Sequence, residues 1–154
     1  MKRRFVLAVP ALLLAAACGL GDALADYPTE PVEVGTADLV GVWAGYQSSA
    51  RYDLRADGTF AATGVPAGQL GTIYERTGRV GPFHGHGHWT LGTRSHSSPQ
   101  TAREAVLDFD ELLDADNAPV EQHGDVQLNA STPTDAPDHV LILTTTGDWF
   151  QRLP

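Results

Sequence analysis

At 154 residues the chain has room for one domain and an export segment, not for two domains. Lys+Arg 10 against Asp+Glu 19 gives a net charge of −9, and setting Lys2, Arg3 and Arg4 aside makes the remainder −12. Such a body repels nucleic acid and anionic headgroups over a Debye length of roughly 8 Å, and favours cations or basic protein partners. Cys18 is the single cysteine, so no intramolecular disulfide can form and the domain relies on its hydrophobic core.

Met1 to Arg4 is positively charged, and the apolar run Phe5 to Ala17 is thirteen residues long. A membrane-spanning helix needs about 20 apolar residues, so residues 1–17 read as a signal peptide. Its end, Leu14-Ala15-Ala16-Ala17-Cys18-Gly19, resembles the lipobox of bacterial lipoproteins, with Ala15 where leucine is commoner. That resemblance implies cleavage before Cys18, diacylglycerol on its thiol, and a lipid anchor on the extracytoplasmic face of the cell membrane. The alternative is cleavage after Ala23-Leu24-Ala25, which releases a secreted chain beginning at Asp26. Arg3-Arg4-Phe5-Val6-Leu7 partly resembles a twin-arginine export signal. Gly19 to Thr36 carries Pro28, Pro31 and four acidic residues, with little apolar surface to offset the entropy of ordering. Residues 18–37 therefore read as a flexible tether and 38–154 as the domain.

Within the domain, Leu39 to Tyr46 reads as the opening strand. Arg51 to Arg55 and Thr59 to Ala62 read as hairpin arms across Ala56-Asp57-Gly58, because Asp-Gly supplies the turn geometry. Tyr52, Leu54 and Phe60 should face inward. Gly64 to Pro82 reads as a long loop with a short strand or helical turn near Ile73-Tyr74-Glu75. Phe83 to Leu91 is a strand, Arg94 to Thr101 a loop, and Glu104 to Phe109 a strand alternating Ala105, Leu107 and Phe109 with charges. Asp110 to Gly124 is acidic and loop-like, with a helical turn at Glu111-Leu112-Leu113. Val126 to Ala130 is a strand, Ser131 to Asp138 a loop, and His139 to Thr145 pairs with Trp149 to Leu153 across Gly147-Asp148. Seven or eight short strands without sustained helical period predict an all-β antiparallel meander that closes into a small barrel, since closure removes exposed edges.

Gly41-x-Trp43, Asp57-Gly58-Thr59-Phe60 and Gly87-x-Trp89 together resemble the lipocalin-like small barrels. Their order after the lipobox is similar to that in a group of uncharacterised actinobacterial lipoproteins. The lipocalin resemblance implies that Trp43 packs under Arg152 at the closed end. Gly41, Asp57, Gly58 and Trp89 join these two as barrel-closing residues. The chain departs from lipocalins in lacking a Thr-Asp-Tyr motif and a disulfide pair.

Phe83-His84-Gly85-His86-Gly87-His88-Trp89 carries the chemistry. On a strand His84, His86 and His88 share one face and Phe83, Trp89 and Leu91 the other. Alternate imidazoles can reach one ion at about 2.0–2.1 Å, which suits zinc, copper or nickel. A polar strand face without a resident cofactor is the plainer alternative, and His96, His123 and His139 read as surface residues. The acids Asp108, Asp110, Glu111, Asp114 and Asp116 lack the spacing of a calcium loop. No nucleophile elbow, phosphate-binding loop or reactive cysteine motif is present, so the chain does not read as an enzyme. The expected role is a lipid-anchored binding or interaction module of the bacterial envelope. Its rivals are a metal-handling lipoprotein and a carrier of a small apolar ligand.

Overall fold

The computed structural model describes residues 28–70, 81–92, 101–121 and 125–154. A short strand β1 (Thr29–Pro31) and a helical turn α1 (Thr36–Leu39) precede eight strands that run up and down in sequence order. These are β2 (Gly41–Gly45), β3 (Arg51–Leu54), β4 (Thr59–Val65), β5 (Phe83–Leu91), β6 (Glu104–Leu113), β7 (Val126–Pro133), β8 (Leu141–Thr144) and β9 (Trp149–Arg152). Each pairs antiparallel with its neighbour, and β9 returns to β2 through Trp43↔Arg152, Ala44↔Gln151 and Gly45↔Phe150. The result is a closed eight-stranded, lipocalin-like barrel, with β1 added outside on the end of β7.

Period-two alternation decides the inside. Tyr52, Leu54, Phe60, Phe83, Trp89, Leu107, Phe109, Leu128, Ile142 and Phe150 are all buried in one core. Burying each large apolar side chain contributes about 1.5–3 kcal/mol before entropy is counted. Phe60 meets Phe109 edge-on at 5.0 Å between ring centres, and Tyr52 meets Phe150 at 5.2 Å. The Asp57-Gly58 hairpin forms as expected, with Gly58 at φ +81° and Arg55 N donating to Thr59 O at 2.9 Å.

Several expectations are corrected. The second half of the expected tether is folded: Thr29, Glu30 and Pro31 pair with Pro133, Thr132 and Ser131. Val34 exchanges backbone hydrogen bonds with Ala102 at 2.8 and 3.0 Å and enters the core. Here β7 projects past the start of β6, whose ladder stops at Asn129, and that free edge supplies the backbone partners while Val34 supplies the apolar anchor. Leu39 closes α1 instead of opening a strand. The Trp43 indole Nε1 donates to its carbonyl at 2.7 Å, and Asp38 Oδ2 accepts from Gly35 N at 2.8 Å. β7 runs on to Pro133 because β1 pairs with it. Gly64 to Pro82 holds the end of β4 and a 3-10 helix, Ala67–Leu70, whose Gln69 and Leu70 are buried at one end of the barrel. Residues 73–75 lie outside the described residues.

Glu111-Leu112-Leu113 is strand, not a helical turn. β6 carries a bulge: His86 pairs with Glu111 but Gly87 with Phe109, leaving Asp110 extra. Inward positions accordingly run Ala105, Leu107, Phe109 and then Leu112, a step of three that imitates helical spacing.

Candidate functional site

The bulge builds the site. It turns both Asp110 and Glu111 outward, against the outward face of β5, and Phe109 and Leu112 stay in the core on either side. The glycines of the His-Gly-His-Gly-His run have a separate job. A Cβ on Gly85 would strike the Glu111 carbonyl, and one on Gly87 the Asp108 carbonyl. Glycine alone lets the β6 backbone approach β5 this closely.

Two histidines therefore meet two carboxylates on exposed sheet. His88 Nδ1 lies 2.8 Å from Asp110 Oδ2, and His86 Nδ1 lies 3.5 Å from Glu111 Oε2. Both imidazoles are more than half exposed, so each pair by itself contributes at most about 1 kcal/mol to stability. Thr59 and Ala61 of β4 stand opposite His88 and His86 on the other side, and Asp108 stands opposite His88 on β6. His84 sits opposite Leu113, away from these carboxylates. The register thus gives His84 a different cross-strand neighbour, Leu113, from the carboxylates that meet His86 and His88. Among the described residues, no group of three or more His, Cys, Asp or Glu side chains is arranged to hold a metal ion.

The barrel-closing residues take structural places. Gly41 faces the end of the barrel, where a Cβ would sit 3.0 Å from Arg152 Cδ, so the arginine stem fills the room its missing side chain leaves. Arg152 Nη1 donates to the carbonyls of Asp38 and Val40 at 3.4 Å each, and Arg152 is the β9 residue in register with the buried Trp43. Trp89 clamps the first hairpin: its indole donates to Arg55 O at 3.0 Å and its amide to Gly58 O at 2.8 Å. Asp57 Oδ1 accepts from Thr59 N at 2.9 Å and Thr59 Oγ1 at 2.6 Å, and the hydroxyl bond foremost holds its carboxyl below the ordinary range. Cys18, His96 and His123 lie outside the described residues.

Sequence reasoning missed a polar chain at the opposite end. Tyr52 reaches Gln69, Gln69 Nε2 donates to Asp148 Oδ2 at 2.8 Å, and Thr146 Oγ1 donates to the same oxygen at 2.8 Å. Burial, with the Asp148 charge adding to it, pushes the Tyr52 hydroxyl far above its ordinary pKa. No local signal joins residues so far apart in the chain. A cleft of about 700 Å³, also unforeseen, lies beside Arg152, lined among others by Trp43, Asp138, His139, Val140 and Leu153.

No protein-family model matches the chain, and no curated protein or solved structure matches it.

Proposed function

We propose that the protein is a lipid-anchored extracytoplasmic module that binds its partner on the outer surface of the barrel, without catalysis. One observation carries the outer-surface part: the barrel interior is occupied by its own aromatic side chains and Gln69-Leu70, whereas histidines and carboxylates gather outside. A lipocalin-like carrier instead needs an apolar space within the barrel. The anchor rests on the lipobox-like run ending at Cys18. Only ten residues separate Cys18 from Thr29 of β1, a reach of about 35 Å when fully extended. A domain anchored there stays within one barrel length of the bilayer.

The test is native mass spectrometry of the chain taken from its own host's membrane fraction. Diacylglycerol on Cys18 with no organic cargo is the expected result. A soluble species beginning at Asp26 overturns the anchor, and a stoichiometric apolar ligand overturns the outer-surface reading.

A further inference from the structure

We infer that His86 and His88 form a two-imidazole chelate for a late first-row transition ion, with Asp110 and Glu111 positioning the rings. This deepens the outer-surface reading by naming a ligand class, and it does not depend on the lipid anchor. The argument starts from which ring nitrogen is engaged. Both Nδ1 atoms face carboxylates, at 2.8 Å for His88 and 3.5 Å for His86. A carboxylate beside Nδ1 favours the proton on that nitrogen and leaves the Nε2 lone pair free, which is the tautomer a metal takes. Such carboxylate–histidine pairs are the usual outer shell of imidazole metal sites.

The backbone supplies the rest. His86 and His88 are alternate residues of one strand, so their rings leave the same face about 7 Å apart at the backbone. Two side chains of that length can close on one ion at about 2.0–2.1 Å. The neighbouring positions on β4, Thr59 and Ala61, are small and neutral and leave that side open. Two protein nitrogens leave coordination positions for water or for a donor carried by a partner, and imidazole ligation orders the ions with Cu(II) above Ni(II) and Zn(II). His84, opposite Leu113, is not one of the ligands.

The experiment titrates the purified full chain with Cu(II) and, separately, Zn(II), reading affinity by calorimetry and the Cu(II) ligand set by electron paramagnetic resonance. We expect one ion per chain with two nitrogen donors. His86→Ala and His88→Ala should each weaken binding at least tenfold, and His84→Ala should change it less than twofold. Asp110→Asn and Glu111→Gln should each weaken it roughly tenfold while circular dichroism stays native. Binding that survives His86→Ala or His88→Ala overturns the site, and so does an equal loss in His84→Ala. Either failure leaves the mass measurement of the anchor untouched.

Discussion

The phenolic hydroxyl of Tyr52 donates to Gln69 Oε1 across 2.7 Å, joining the barrel wall to the 3-10 helix that fills its end. Both side chains are buried, so neither has water as a substitute partner. Gln69→Leu should therefore cost about 1–3 kcal/mol, the usual penalty for orphaning a buried hydroxyl. Urea unfolding checks this. Combining Gln69→Leu with Tyr52→Phe should recover part of the loss, because both polar partners are then gone.

The same tyrosine makes stability fall in alkali. Its folded pKa stands above the ordinary value of 10.0, so the folded state keeps a proton that the unfolded chain releases. Its contribution is complete below pH 10 and declines above it, with a slope of at most about 1.4 kcal/mol per pH unit. Urea midpoints between pH 9 and 11 should drop faster for the wild type than for Tyr52→Phe.

Asp57 acts at the other extreme of pH. Its carboxyl is held below the ordinary 3.8, chiefly by the Thr59 hydroxyl and then by the Thr59 amide. The stabilisation is present above that value and lost as pH falls through the depressed one. Asp57→Asn should unfold with a shallower dependence on pH in acid, as thermal melts from pH 5 down to pH 2 would show.

Gly58 and Gly147 occupy matching places in two hairpins at opposite ends of the barrel, at φ +81° and +89°. Each follows the same hydrogen-bond pattern, Arg55 with Gly58 and Thr59, Thr144 with Gly147 and Asp148. A Cβ would meet only Trp89 O at 3.7 Å in the first and nothing within 4 Å in the second, so backbone strain is the whole cost. Alanine at either should lose about 1 kcal/mol, and the double variant about twice that. Thermal or urea melts of the three variants test the additivity.

Gly87→Ala should be far worse, about 3 kcal/mol, because the new methyl meets the Asp108 backbone and β5 must move off β6. Its second effect is diagnostic: pulling the strands apart should weaken His88–Asp110, seen as a changed Nδ1 chemical shift. An unfolded-like melt with unchanged histidine signals would contradict the close-approach argument.

The strand pattern was open to sequence reasoning wherever alternation held unbroken. Phe83 to Leu91 appears with the bounds that its alternation indicates, and Tyr52, Leu54 and Phe60 face inward as expected. It failed where a local rule was broken by a distant partner. The step from Phe109 to Leu112 looks helical because one bulged residue shifts the phase, and the bulge is seen only in the register with His86 and Gly87 of β5. Thr29 to Val34 looks like tether because its stabilisation comes from β7 and Ala102, about seventy residues or more away in sequence. For the site, the histidine face was legible, but its division was not: only the β6 register shows that His86 and His88 meet carboxylates and His84 does not.

Seven of the eight ladders that close the barrel join strands adjacent in sequence, and the eighth, between β2 and β9, spans almost the whole domain. That seam has three residue pairs and the greatest sequence separation of any ladder in the barrel. A chain emerging N-terminus first, from a ribosome or through a membrane pore, consequently stays an open meander until β9 follows. The barrel is built so that it cannot close too early.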